Sequence, residues 1–254
     1  MKRQNVRKAL LVIFILSLPV TMFYLSPVLT LQGAARGIVT SSLLFVGLSA
    51  LLAFFAGRIF CGWICPGGAV QEALFPANDR RLKGGRYDLI KYGIAALWLA
   101  ALVVLFIRAG GVLSVDPLFG IPGGLSLGTP LSYMMFYIAM GGMVFLSLAL
   151  GRRPFCRYGC LLAPFMIAGK TAAGKLRLPH LHLEAESEKC IDCRLCTKNC
   201  PMSLDVNRMV RDENMASPEC ISCGACVDVC PKKVLSFAFF PRKKTEEKSG
   251  ENPN

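Results

Sequence analysis

Histidine is almost missing from this chain of 254 residues, which has two, and acid is scarce, with 16 Asp and Glu against 29 Lys and Arg. So little histidine excludes a His-rich zinc site, and no C-x-x-C-H run exists to attach a c-type haem. Walker motifs, dinucleotide fingerprints and catalytic triads are also missing, so no side chain is singled out as catalytic. The chemistry must then be carried by cofactors. A net charge of +13 would suit nucleic acid. The basic residues, however, sit in clumps beside apolar runs rather than along one amphipathic face, and no nucleic-acid partner is expected.

Apolar residues are plentiful, at 54% with a mean hydropathy of +0.49, which is too apolar for a water-soluble chain of this length. Four segments, 9–30, 38–60, 88–108 and 131–150, are long enough to cross about 30 Å of hydrocarbon as helices. The first follows a basic start but is longer than a signal-peptide core, and Pro19 and Pro27 mark it as a kinked, retained anchor. Lys2, Arg3, Arg7 and Lys8 precede the first segment. Arg80, Arg81, Lys83 and Arg86 lie between the second and third, and Arg152, Arg153 and Arg157 follow the fourth. By the positive-inside rule these are topology signals that place both termini on the cytoplasmic side of a bacterial inner membrane. The Gly- and Pro-rich stretch from Gly110 to Pro130 reads as an outer loop. Phe155 to Ala168 is too short to cross and reads as an interfacial helix. The charged tail from Arg242 reads as disordered.

Cysteine carries the strongest signal. Cys190, Cys193, Cys196 and Cys200-Pro201 are followed at the same spacing by Cys220, Cys223, Cys226 and Cys230-Pro231. Each run is C-x2-C-x2-C-x3-C-P, the bacterial two-cluster spacing in which the fourth cysteine serves the other run's cluster. The expected ligand sets are Cys190, Cys193, Cys196 and Cys230 for one 4Fe-4S cluster, and Cys220, Cys223, Cys226 and Cys200 for a second. Zinc takes four ligands, not two interleaved sets of three plus one. The two runs form an internal repeat in which each half should supply a short strand, a cluster loop and a short helix.

Four further cysteines form two C-x3-C pairs, Cys61 with Cys65 and Cys156 with Cys160, each just after an apolar segment. Residues four apart share a helix face, so each pair should aim two thiols the same way. One additional redox or metal site at the cytoplasmic boundary would use all four: an iron–sulfur centre, a dithiol pair or a soft-metal site. Buried packing cysteines are the competing reading. The cytoplasmic setting disfavours disulfides. His180 and His182 are expected as exposed linker residues, Met134, Met135, Met140 and Met143 as packing or lipid-facing, and Trp63 and Tyr158 as headgroup anchors.

The sequence therefore describes an α-helical membrane protein with four transmembrane helices plus a small α+β two-cluster ferredoxin-like domain. Residues 1–177 form the membrane domain with two C-x3-C motifs, 178–241 the ferredoxin-like domain and 242–254 the tail. With its C-G-W-x-C-P-x-G motif at Cys61 to Gly68, the second C-x3-C and the twin runs, the chain resembles the NapH/MauN-type ferredoxin-type polytopic membrane proteins. These are relatives of the membrane cores of the nitrous-oxide-reductase regulator and of the oxidase-assembly ferredoxins. The resemblance spans nearly the whole chain and departs at one point, since the family's second motif is usually C-x3-C-P whereas Cys160 precedes Leu161 and the proline is Pro164. It implies a multi-pass 4Fe-4S electron-transport protein of the inner membrane. Such a protein relays electrons from quinol or a cytoplasmic donor to a periplasmic iron–sulfur or cytochrome partner, as in nitrate reductase or methylamine dehydrogenase systems. It could be a quinol dehydrogenase subunit or, more safely, an electron-transfer protein. The alternative is an electron donor for maturation of a metal centre, for example by copper reduction.

Overall fold

The computed structural model describes residues 2–121 and 130–240. The parts of the outer loop and the tail that fall at 122–129 and 241–254 lie outside the described residues. The first apolar segment is broken into α1 (Lys2–Leu16), α2 (Leu18–Thr21), a 3-10 turn at Phe23–Leu25 and α3 (Pro27–Ala34). The first and last breaks fall at a serine and proline, the middle one at Met22. Pro19 and Pro27 enter at the first turn of a new helix, where the missing N–H costs nothing, and Ser26 Oγ caps α3 through Leu29 N. Strand β1 (Ile38–Val39) leads into α4 (Ser41–Ala56), which Gly57 ends with φ 59°. Two short helices follow, α5 (Ile59–Trp63) and α6 (Pro66–Ala73), and then α7 (Ile90–Arg108). Strand β2 (Ser114–Val115) pairs in parallel with β1 and precedes α8 (Pro130–Leu150).

Of the four expected spans, two are seen as helices long and apolar enough to cross a membrane, at Arg86–Arg108 and Tyr133–Leu150. The first segment is too interrupted to qualify, and α4 is too short at 16 residues. Even so, α4 turns Leu44, Leu48, Leu51, Leu52 and Phe55 outward. Its buried face, which includes Ser49 and Ala53, packs on α9 (Leu162–Lys175). That contact is close because Gly169 has no side chain: a Cβ there would lie 2.5 Å from the Ala50 carbonyl oxygen. The stretch expected as an interfacial helix is thus α9 preceded by one π turn, Phe155–Gly159.

The ferredoxin-like part runs β3 (His182–Ala185), α10 (Leu195–Lys198), α11 (Val206–Arg211), α12 (Ala225–Val229), β4 (Leu235–Ala238). The two halves do not each begin with a strand. Instead β3 opens the module and β4 closes it as its antiparallel partner, with His182 opposite Ala238. The repeat shows in the backbone at an offset of 30 residues. Asp192 and Ser222, Arg194 and Gly224, and Ser203 and Lys233 all adopt positive φ. Five of the six are not glycine, and left-handed backbone costs such residues roughly 1–2 kcal/mol, so the loops hold this shape against local preference.

The module is not tethered at a distance. One buried core joins Cys61, Cys156 and Met166 of the first part to Cys200, Cys223, Cys226 and Ile221 of the second. At the seam Gly62 abuts the Ile221 carbonyl so closely that any Cβ would collide with it.

The close approach of α9 to α4 predicts that Gly169→Ala lowers stability by about 1–3 kcal/mol, the usual range for overpacking. The apparent melting temperature in detergent should fall, whereas Gly93→Ala on α7, where a Cβ meets open space, should leave it unchanged.

Candidate iron–sulfur sites

The two expected ligand sets line two separate cavities. Cys190, Cys193, Cys196 and Cys230 surround one with about 360 Å³ of atom-free space. Cys200, Cys220, Cys223 and Cys226 surround the other, with about 400 Å³. In each set the crossing cysteine leaves its helix: Cys230 caps α12 in extended conformation at φ −74°, ψ 113°, and Cys200 follows α10 beside buried Pro201. Left-handed residues separate the first three cysteines of each run, Asp192 and Arg194 in one and Ser222 and Gly224 in the other. Among the described residues no three Cys, His, Asp or Glu side chains converge closely enough for a single metal ion. Thiols splayed around a cavity suit a multi-iron cluster better than zinc.

The second constellation is assembled differently from the expected helical pairs. Cys61 lies in α5, but Cys65 caps α6 in extended conformation (φ −60°, ψ 115°). Cys156 lies in the π turn, and Cys160 ends it with φ −72°, ψ 116°. In each motif one cysteine is helical and the second sits where the chain re-enters the next helix. Pro66 follows Cys65 directly, whereas Pro164 sits in the first turn of α9. Cys160 nevertheless matches Cys65 in backbone, so the displaced proline leaves the local geometry intact.

The four thiols lie in one another's fields. Burial raises the pKa of Cys65, and Cys156, Cys61 and Cys160 raise it further. Cys160 is pushed up to about 12 by burial, with Cys156 and Cys61 adding to it. Burial also raises Cys156 against the lowering effect of Arg153. As free thiols these groups stay neutral, and loading a metal must displace their protons. Gln71 Nε2 donates to Cys156 Sγ at 3.1 Å, and Cys61 Sγ lies 3.5 Å from Met166 Sδ.

The most consequential groups were legible only as topology signals. Arg7, Arg58, Arg152, Arg153 and Arg157 are buried. Arg153 pairs with Glu72 and donates to the Cys61 carbonyl at 2.9 Å, in the field of both Cys156 and Cys223. Arg7 shares Glu72 and donates to the Gly62 carbonyl. Arg152, paired with Asp79, donates to the carbonyls of Lys198 and Cys200. Arg157, paired with Asp88, reaches the Met202 carbonyl. Arg58 and Lys91 share Glu219, next to Cys220. Burial would raise the Glu72 carboxyl, but Arg153 and Arg7 outweigh it and hold the group below its ordinary range. Among the described residues five buried side-chain atoms have no hydrogen-bond partner, three of them nitrogen donors: Arg58 Nε, Arg153 Nε and Asn207 Nδ2. Arg58 lies in the field of Cys61, Cys160 and Cys156, and Asn207 lines the first cysteine cavity. Orphaned donors facing thiols fit anionic thiolate-bound cofactors as acceptors.

His180 and His182 correct the linker expectation, because both are buried. Each ring holds its place by an Nδ1 contact at 2.9 Å, to the Leu178 and His180 carbonyls respectively. Trp63 and Tyr158 are also tied to protein, through the Ser222 and Lys83 carbonyls.

Comparison with known proteins agrees with this geometry. A family model described as a 4Fe-4S binding domain matches residues 38–83 and 132–165, which contain both C-x3-C pairs. A 4Fe-4S dicluster domain matches residues 189–235, which contain all eight cysteines of the twin runs. The class is thus an iron–sulfur protein of the ferredoxin type. An uncharacterized protein of Methanocaldococcus jannaschii is 29% identical over 203 residues, covering 78% of this chain and 73% of that protein. The regulatory protein NosR of Stutzerimonas stutzeri is 27% identical over 163 residues, 62% of this chain but only 22% of NosR. The methylamine utilization ferredoxin-type protein MauN of Methylorubrum extorquens is 25% identical over 181 residues, covering 68% and 59%. These similarities fit a resemblance to ferredoxin-type electron-transport proteins of the NapH/MauN kind. No solved structure matches it.

Among the described residues Glu219 is the sole ion-pair partner of two buried cations, Arg58 and Lys91, so Glu219→Gln should cost about 3–5 kcal/mol, the range for breaking a buried pair. Thermal unfolding of the purified protein checks this. An unchanged melting temperature would show that neither cation depends on the carboxylate.

Proposed function

We propose that the chain is a membrane-bound electron relay. Eight cysteines hold two 4Fe-4S clusters in the sets Cys190, Cys193, Cys196, Cys230 and Cys200, Cys220, Cys223, Cys226, and Cys61, Cys65, Cys156 and Cys160 hold a third, thiolate-ligated centre. When bound, such clusters supply one-electron storage without bond rearrangement. The observation that carries the reading is the single buried core running from Cys61 and Cys156 to Cys200, Cys223 and Cys226, with Arg153 between Cys156 and Cys223. The chain's part is to fix the thiols, exclude water and neutralise charge. The mutual fields of the four thiols and the orphaned Nε groups of Arg58 and Arg153 support an iron–sulfur centre at the boundary.

In this reading the broken first segment and α4 join α7 and α8 in a bacterial inner membrane as four spans, with both termini and the ferredoxin-like domain cytoplasmic. The outward apolar side chains of α4 support it. Electrons pass between quinol or a cytoplasmic donor and a periplasmic redox enzyme of the nitrate reductase or methylamine dehydrogenase kind. A cleft with about 1070 Å³ of atom-free space beside Cys220, lined by Lys170, Lys175, His180 and His182, is suited to a quinol head group. The His180 Nδ1 proton is committed to the Leu178 carbonyl, which leaves Nε2 as proton acceptor.

A second reading is electron donation for maturing a metal centre, such as copper reduction. Its supporting observation is thioether next to thiol: Met166 against Cys61, and Met143 near Cys65 across Gly67. Sulfur donors of both kinds select soft metals.

Anaerobically purified protein should contain about twelve iron atoms, eight from the twin runs and four from the boundary site. A Cys61→Ser, Cys156→Ser double variant should retain about eight with the two ferredoxin-type EPR signals intact. Iron near zero with stoichiometric zinc overturns the relay. Eight iron atoms in the unaltered protein would return the four boundary cysteines to packing or copper.

Orientation is checked by fusing a reporter active only in the periplasm to the C-terminus, which should stay silent. A strong signal would put the ferredoxin-like domain outside.

A further inference from the structure

The two cysteine cavities differ in what surrounds them. The second is closed against the first part of the chain, because Cys200, Cys223 and Cys226 share its buried core. The first faces away, and Cys193 on its rim is the one exposed cysteine of the twelve. Beside it opens a cleft with about 590 Å³ of atom-free space, lined by Arg81, Arg194, Lys198 and Arg211 against a single carboxylate, Asp205. Arg211 leans toward Asp192 at 3.9 Å, and Arg81 is held by the Ser203 and Leu204 carbonyls. Arg194 and Lys198 make no ion pair among the described residues and line the cleft, although Lys198 also lies in the field of Asp79. Asn207 is 2% exposed, lines both this cleft and the first cysteine cavity, and carries the unpartnered Nδ2. Exposed Ile191 and Leu195 flank Cys193. An apolar centre with a basic rim over a redox site is the anatomy of a transient electron-transfer interface.

We infer that this face docks a soluble one-electron carrier protein with an acidic surface, such as a flavodoxin, whose carboxylates enter the cleft of Arg81, Arg194, Lys198 and Arg211. The inference rests on the relay reading and names its cytoplasmic partner by chemistry. In the donating direction the carrier is oxidised by one electron and the site behind Cys193 is reduced by one. No bond or proton is exchanged. Docking by unpaired surface charge implies fast, salt-sensitive association, since opposite charges are screened beyond about 8 Å at physiological ionic strength.

The test uses full-length, anaerobically purified protein in nanodiscs, with its iron counted first, so that failure to load iron is separable from failure to dock. Binding of a bacterial flavodoxin is followed by surface plasmon resonance, with basic cytochrome c as comparison. Flavodoxin should bind saturably at low salt and lose about tenfold in affinity by 0.2 M salt, cytochrome c should not bind, and Arg194→Glu with Lys198→Glu should reproduce the loss about tenfold. Carbodiimide should link flavodoxin carboxylates to Lys198. Arg177→Glu, exposed and outside this cleft, should bind like the unaltered chain. Binding that ignores salt and the double reversal, equal binding of cytochrome c, or crosslinks mapping only to other lysines would each overturn the assignment in iron-loaded protein.

Discussion

Arg153 is the interaction on which the rest of the arrangement turns. Its guanidinium is 0% exposed, pairs with Glu72, donates to the Cys61 carbonyl and sits in the field of Cys156 and Cys223. One side chain therefore spans the loop of the first C-x3-C motif, the second motif three residues on, and the second ferredoxin-type run. A lysine could not do this, because its compact ammonium lacks the planar fork that serves several acceptors at once. Removing such a charge from water costs several kcal/mol, which Glu72 and the carbonyl contacts must offset. Burial of this kind is weak evidence of net stability. Its role is to specify one docking geometry, because any shift of the module would leave a guanidinium unpaired.

The same device recurs around the seam. Arg152, Arg157, Arg58, Gln4 and Trp63 each donate to a main-chain carbonyl within or beside a cysteine run, from Lys198 to Cys223. Buried carbonyls need donors. The first part of the chain supplies those donors, largely from the basic residues that flank its apolar segments. Arg3 extends the seam at its edge, paired with Asp228 and stacked on Phe237.

The eight-cysteine pattern was legible because its spacing reflects local chain geometry, and the structure gathers the two interleaved sets around two cavities as the spacing requires. The paired C-x3-C motifs were legible as partners but not in detail. A spacing of four suggests a helix, whereas the chain uses a helical turn and then an extended cysteine at the mouth of the next helix. The arginines' second role was not legible because charge count and position speak to topology, while burial depends on contacts 45 to 161 residues away that no local window contains. His180 and His182 were misplaced for the same reason: only the pairing of β3 with β4 and the packing beneath α9 bury them. The first segment's interruptions were foreshadowed by Pro19 and Pro27, but proline alone did not tell a kink from a break.

Exposure, hydrogen bonding and nearby charge together set the potential of a thiolate-bound cluster. The outer site has an exposed cysteine and three partly buried ones, whereas the inner ferredoxin-type site has three buried cysteines. Reduction adds negative charge, so burial alone would make the inner site the harder to reduce. Cations work the other way. Arg7 lowers the pKa of Cys223 against burial, Arg153 lies in the field of the same thiol, and Arg81 acts likewise on Cys200. In the relay reading, Arg7 and Arg153 thus place buried positive charge beside the more buried site, which would narrow the gap between an exposed and a buried site. A relay whose steps lie close in energy passes electrons either way under small driving forces. The arginines that fix the docking geometry are therefore the same groups that level its energetics.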